Sequence, residues 1–306
     1  MRAKSLLLAG VLAVIGWTGV AGAPADDVIG AVPFGIHFTD PDDTLPDIAV
    51  AYDLGYTELV VANPHADPWL PGAGTLLWVP TAHVLPDAPR RGIVINLAEQ
   101  RLYVFPPGKP AMTFPIGIGT EGAGIRTGQT RVRGKRPNPT WVPTASERQE
   151  MPELPASVPP GPDNPLGPLA LDLEWTSIVI HGTNRPYGIG RRVSHGCFRL
   201  YNEDIRVLYA LVPVGTPVTV VDQPAKLGWH DGDLYLEVHP TVAQADELEE
   251  RGSITPDALP GLDERILKAT GARAADVDWD AVRKSERERT GLPVRILFGT
   301  PATPPG

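Results

Sequence analysis

Two residues able to do covalent chemistry stand sixteen positions apart in this chain. His181 closes the apolar run Ser177-Ile178-Val179-Ile180, and Cys197 sits in Ser194-His195-Gly196-Cys197-Phe198-Arg199. Cys197 is the only cysteine among the 306 residues, so it forms no intrachain disulfide and is either an inert packed thiol or a reagent. A histidine near a cysteine lowers the thiol pKa or takes its proton, which favours the reagent. At the end of a buried strand the His181 backbone is fixed, and its ring can be aimed at a nucleophile on an adjacent loop. The other ring nitrogen then needs an acceptor. No acidic residue lies close to His181 in sequence, which leaves a backbone carbonyl, with Gly182 the candidate. Gly196 permits unusual dihedral angles and close backbone approach, so the N–H groups of His195, Gly196 and Cys197 can point at a developing oxyanion. The constellation reads as acyl transfer through a thioester.

Two other chemistries use the same residue types. Zinc accepts histidine and thiolate, but His181, His195 and Cys197 around a glycine-rich turn lack a recognisable zinc spacing, so no metal and no cofactor is expected. Papain-like and amidase-type peptidases place the cysteine before the histidine, the reverse of the order here. The remaining histidines (His37, His65, His83, His230, His239) belong to no motif and read as surface or packing residues.

The elements that must position this pair are short and β-rich. Ile93 to Leu97 and Arg101 to Phe105 flank Ala98-Glu99-Gln100 as a hairpin, and strands follow at 113–119, 128–132, 177–181 and 217–221. Many short strands with glycine and proline turns indicate a mainly β fold of sandwich or barrel type, and the 35 prolines argue against long helices. A helix is expected from Asn202 to Leu211, with Ile205, Leu208 and Tyr209 on one face. The proline-rich stretch from Trp141 to Leu169 is long for a loop; a lid and a plain surface excursion fit it equally. Upstream, residues 36–80 read as strand, helix, helix, strand, with Thr44 as N-cap, Gly55 ending the first helix and Asn63-Pro64 breaking the second. Beyond Asp222 the chain turns more charged and helical, an accessory packing segment without a catalytic constellation.

Arg2 and Lys4 precede an apolar stretch from Leu6 to Val20, and Ala23-Pro24-Ala25 then offers a cleavage site, the pattern of a secretory leader over residues 1–25. The apolar run is short for a membrane span, so no stable span is expected after cleavage. An unpaired cysteine is unusual in an exported protein. The net charge of −9 without an offsetting basic block excludes nucleic acid as a partner.

Ile180-His181-Gly182-Thr183-Asn184, Gly188-Ile189-Gly190 and Ser194-His195-Gly196-Cys197-Phe198-Arg199-Leu200 together resemble the signature of the L,D-transpeptidase catalytic domain. The likeness includes Arg126-Thr127-Gly128, Lys135-Arg136-Pro137-Asn138-Pro139-Thr140-Trp141 and Asn164-Pro165-Leu166-Gly167 in the same order. Asp42-Asp43-Thr44-Leu45 and Ala62-Asn63-Pro64 resemble a LysM peptidoglycan-binding module. The layout implied is a leader at 1–25, a βααβ LysM-like module at 34–82, a β-sandwich-type catalytic domain at 91–222 and a partly helical extension at 223–306, most similar to the Gram-negative periplasmic branch. The resemblance implies Cys197 as nucleophile, His181 as proton acceptor and donor held by the Gly182 carbonyl, and Gly196 and Cys197 as oxyanion-hole amides. His195 would support the site, and Ser194, Arg199, Asn138 and Trp141 would lie by the substrate. The residues alone leave Trp141 between core and cleft, and Arg199 between holding the loop and binding substrate. The implied substrate is a peptidoglycan tetrapeptide stem that loses D-alanine to form a thioester. A second stem, the lysine of an outer-membrane lipoprotein, or a D-amino acid would resolve it, and water would make the protein an L,D-carboxypeptidase. A wall-binding protein with a decayed catalytic domain is the non-enzymatic alternative.

Overall fold

The computed structural model describes residues 26–30, 32, 34–119, 126–194 and 196–299; the expected leader and His195 lie outside the described residues. The chain begins with β1 (Val28–Gly30) and β2 (Gly35–Phe38), then α1 (Leu45–Ala51), α2 (Tyr56–Ala62), β3 (Leu76–Val79) and β4 (Ala82–Val84). Strands β2 and β3 pair antiparallel around the two helices, and β1 pairs with β4. Thr44 Oγ1 accepts from the Asp47 N–H at 3.3 Å to start α1. Asn63 ends α2 and is fully buried: its amide donates to the carbonyls of Leu59 (2.9 Å) and Trp78 (2.8 Å), and its oxygen accepts from the Trp78 N–H (2.7 Å). One side chain thus satisfies a helix end and locks it to β3.

The central region contains β5 (Gly92–Asn96), β6 (Arg101–Phe105), β7 (Met112–Pro115), β8 (Ile118–Gly119), β9 (Gly128–Pro137), α3 (Ala145–Glu150), β10 (Leu169–Leu173), β11 (Val179–His181), β12 (Arg192–Ser194), β13 (Phe198–Arg199), α4 (Asn202–Leu211) and β14 (Pro217–Val221). Eight of these strands form one sheet in the order β13-β11-β10-β9-β14-β5-β6-β7. Strand β9 is shared: Gly128 to Arg131 pair with β14, and Val132 to Pro137 pair with β10. The two halves fold over each other at β9, so Ile93, Ile95, Leu102 and Val104 share a core with Leu171, Leu173, Ile180 and Phe198. The fold is mainly β. Gly117, just past β7, exchanges backbone hydrogen bonds with Arg199 of β13, 2.9 Å in each direction, so the sheet edges meet at a seam beside Cys197.

The tail comprises β15 (Ala225–His230), β16 (Asp233–Val238), α5 (Val242–Arg251), α6 (Leu262–Thr270), α7 (Trp279–Glu288) and β17 (Val294–Leu297). Its helices were expected, but its three-stranded sheet, order β15-β16-β17, was not. The missed signal was Asp231-Gly232: both residues have positive φ (49° and 85°), and His230 pairs with Asp233. That is the two-residue hairpin turn that Asp-Gly favours. The tail is no appendage, since Leu248 of α5 packs into the core of the N-terminal module with Leu45, Leu59 and Leu77. Among the described residues no helix is long and apolar enough to cross a membrane.

Candidate active site

Strand register assembles the site. Across β9, β10, β11 and β13, Arg136 pairs with Ala170, Ala170 with His181, and His181 with Arg199. Directly opposed residues point to one face of a sheet, and neighbours along a strand point to the other. The adjacent row, Lys135, Leu171, Ile180 and Phe198, therefore faces the other way, with Leu171, Ile180 and Phe198 in the core. Lys135 Nζ on that side donates to the Tyr209 (2.5 Å) and Val212 (2.9 Å) carbonyls at the end of α4. Cys197 directly precedes Phe198 of β13, the strand paired with β11 and its His181. Ala170, fully buried, stands between Arg136 and His181 in their row.

His181 is buried, and its Nδ1 lies 2.6 Å from the Gly182 carbonyl oxygen. A carbonyl only accepts, so Nδ1 carries the hydrogen and Nε2 carries the lone pair. Burial, helped by the positive Arg199, lowers the imidazole pKa to about 3, so the ring is neutral at pH 7. Cys197 Sγ lies 3.7 Å from the carbonyl of Ser177, which takes a left-handed backbone (φ 67°) in the turn before β11. Burial pushes the thiol pKa up against the opposing pull of the Val179 N–H and Arg199. The resting pair is thus a neutral thiol and a neutral imidazole.

Gly182 is glycine for lack of space. A Cβ there would lie 2.5 Å from Asn202 Oδ1 and 2.9 Å from Pro168 Cδ. That Asn202 oxygen accepts from the Thr183 N–H at 2.9 Å, tying the start of α4 to the strand end that carries His181. Gly196 adopts φ 106°, a conformation L side chains rarely take, immediately before the thiol.

The structure brings Cys197, His181, Gly182, Gly196 and Arg199 to this one place, with Ser194 at the end of β12. Asn138 stands on the α4 side instead, exposed at φ 46° and lining a cavity of about 230 Å³ with Pro160, Pro162, Asn202 and Arg206. Trp141 is half-buried and pinches the proline-rich excursion closed, exchanging backbone hydrogen bonds with Val158 at 2.9 and 2.8 Å. The excursion brings Glu147 of α3 into electrostatic reach of Cys197 and Arg199. Its root is Asn164, fully buried, whose amide donates to the carbonyls of Pro139 (2.8 Å), Val158 (3.1 Å) and Pro159 (3.1 Å).

Sequence reasoning did not single out Arg136, Asp172 or Asn202. Arg136 donates to Asp172 through Nε (2.9 Å) and a terminal nitrogen (2.8 Å), which fixes it at the edge of the catalytic row. Alternation along β9 was the available signal, but it shows a face only once the register with β10 is known. His83 and His239, expected as surface or packing residues, are buried in a polar cluster at the junction of the three regions. His83, Glu99 and Glu237 lie close enough to hold a metal ion together. Lys226 Nζ already stands 2.7 Å from Glu99 Oε1 and 2.8 Å from Glu237 Oε1, and supplies the cation there.

The model of the L,D-transpeptidase catalytic domain family YkuD matches residues 90–220. The "Probable L,D-transpeptidase ErfK/SrfK" of Salmonella typhimurium is 41% identical over 264 residues, covering 84% of this chain and 84% of that protein. The "Probable L,D-transpeptidase YbiS" of Escherichia coli is 42% identical over 255 residues, covering 81% of each. Among solved structures, an Enterococcus faecium L,D-transpeptidase aligns with a TM-score of 0.34 at 22% identity, over 42% of this chain and 49% of that one. With the similarity to the first two covering more than four fifths of its length at over 40% identity, this chain belongs to the L,D-transpeptidase family.

Proposed function

We propose that the chain is an exported peptidoglycan L,D-transpeptidase that works through a Cys197 thioester. The observation that carries this reading is the His181 ring, held by the Gly182 carbonyl at 2.6 Å so that Nε2 keeps its lone pair as a base, on a strand paired with the one that Cys197 leads into. The Cys197 proton passes to Nε2 as Sγ attacks the carbonyl carbon of the residue before the terminal D-alanine of a tetrapeptide stem. The Gly196 and Cys197 N–H groups bind the oxyanion, and the imidazolium returns the proton to the departing D-alanine amine. An acceptor amine then attacks the thioester by the reverse sequence. Arg199 is the cation available to a stem carboxylate: its Nε is buried without a hydrogen-bond partner among the described residues, whereas Arg136 is occupied by Asp172. In this reading His195 supports the site, Ser194 lies by the substrate, and Asn138 and Trp141 belong to the rim.

In this reading residues 34–82 are a LysM-like module that holds the enzyme on the wall, residues 1–25 are a cleaved leader, and the site of action is the periplasm. The acceptor is a second stem or the lysine of an outer-membrane lipoprotein. The test is mass spectrometry of products from a defined tetrapeptide muropeptide, with a second stem, a lysine-ended peptide and D-amino acids in competition. We expect D-alanine release, an aminolysis product and a Cys197 acyl adduct, all lost in Cys197→Ala. D-alanine release with water as sole acceptor identifies a carboxypeptidase, and equal turnover by Cys197→Ala removes the thioester mechanism. Cys197→Ala protein should still sediment with isolated sacculi; failure to do so argues against the wall-binding module.

A further inference from the structure

The segment leading into the nucleophile is held from outside the catalytic domain. Two backbone bonds come from the N-terminal module: the Tyr56 N–H donates to the Ile189 carbonyl at 3.0 Å, and the Thr57 N–H to the Gly190 carbonyl at 3.1 Å. These are first-turn amides of α2, which have no partner within their own helix. The approach requires two glycines, since a Cβ on Gly55 would lie 2.9 Å from Gly190 Cα, and one on Gly190 (φ 73°) would strike Gly55. From the tail, α5 reaches the next two residues. Arg191 donates in bidentate fashion to Glu249, Nε to Oε1 at 2.6 Å and a terminal nitrogen to Oε2 at 2.5 Å, with its guanidinium 4.0 Å from the Tyr56 ring centroid. Arg192 is ion-paired with Asp246 and donates to the Val242 carbonyl at 3.3 Å. Arg192 also opens β12, whose parallel pairing with β8 ends at Ser194, three residues before the thiol.

We infer that Glu249 and Asp246 of the C-terminal extension, acting through Arg191 and Arg192, are positioning residues for the Cys197 nucleophile. The inference rests on Cys197 being the nucleophile. His181 is fixed from its own side by Gly182 and Asn202, but the thiol follows Gly196, a hinge-capable residue, so its placement depends on the run before it. That run is braced by a bidentate pair and a partly buried ion pair, geometries that direct as well as attract. A displacement of about 1 Å at reacting atoms costs roughly a hundredfold in rate. The tail thus belongs to the catalytic unit, although it lies beyond the residues matched by the catalytic-domain family.

The test uses the full chain in four forms: wild type, Arg191→Gln, Glu249→Gln and the charge swap Arg191→Glu with Glu249→Arg. Steady-state D-alanine release from a tetrapeptide stem gives kcat and KM, and thermal melting is recorded for each form. We expect kcat to fall roughly ten- to a hundredfold in both single variants with KM and the melting temperature nearly unchanged. The swap should regain most of the lost kcat. Wild-type kcat in Glu249→Gln overturns the inference, as does a loss of kcat that tracks the melting temperature and is not regained by the swap. Should Arg191→Gln fail to fold, Glu249→Gln and the swap decide alone. An inactive wild-type chain overturns the nucleophile reading and this inference together; an active wild type with unchanged variants overturns the brace alone.

Discussion

At neutral pH neither member of the Cys197 and His181 pair carries charge, and burial is the reason in both cases. Burial disfavours the imidazolium and, seconded by Arg199, takes His181 to about pKa 3, while it pushes the Cys197 thiol upward. A preformed thiolate–imidazolium pair would behave differently toward a small alkylating agent, because only the thiolate reacts. The second-order rate of Cys197 alkylation by iodoacetamide should therefore climb about tenfold per pH unit from pH 6 to 9, without a low-pH plateau. A plateau below pH 7 would show the ion pair. His181→Gln should keep this slope yet lower stem-peptide turnover by roughly 10²–10⁴, the loss of a general base. The same shift acts on stability. The folded His181 pKa of about 3 lies below the ordinary 6.5, so the folded state binds fewer protons between those values. Its contribution is fully present above pH 6.5 and is lost as pH falls toward 3.

At the scale of elements, the proline-rich excursion between β9 and β10 depends on one side chain. Asn164 has no exposed surface and serves the carbonyls of Pro139, Val158 and Pro159, while its oxygen accepts from the Leu166 N–H at 2.9 Å. Asn164→Ala removes the partner of the Pro139 and Pro159 carbonyls and of the Leu166 N–H, while the Val158 carbonyl keeps the Trp141 N–H, and should cost about 3 kcal/mol in denaturant unfolding. Limited proteolysis should cut it within residues 140–163 before the rest of the chain; a wild-type cleavage pattern would free the excursion from this anchor. The sequence made such local features legible. Helix α4 runs from Asn202 to Leu211, as its Ile205 and Leu208 spacing suggested, and the strand ending at His181 was evident from its apolar run. The row Arg136, Ala170, His181, Arg199 was not legible, because register between strands separated by tens of residues is set by tertiary packing. Nor was the role of Asn202, whose helix start seals Gly182 only after the chain has folded back.

At the scale of the molecule, the three regions meet on a buried charge cluster with Lys226 at its centre. Its ammonium contacts Glu99 (2.7 Å), Glu237 (2.8 Å) and the Tyr103 hydroxyl (3.0 Å), and none of these four side chains has exposed surface. Glu237 also holds His239 at 2.5 Å, and Arg101 holds Glu58 of α2 at 2.8 Å, so tail, catalytic sheet and N-terminal module share one electrostatic centre. Burial alone would raise the Glu99 carboxyl, but Lys226 and His239 outweigh it and bring its pKa down to about 2. A depressed carboxylate contributes stability above its ordinary 4.5 and loses it as pH falls toward 2. Lys226→Met removes the cation and strands two carboxylates in the interior, which should cost about 3–5 kcal/mol at pH 7. The gap between variant and wild type should narrow as pH falls below 4.5, because protonated carboxyls no longer need the ammonium. Adding Glu99→Gln to Lys226→Met should recover part of the loss at pH 7, since only one unpaired carboxylate then remains. Urea unfolding followed from pH 2 to 8 reads all three effects, and a pH-independent gap would assign the loss to packing around the lysine stem instead of to charge.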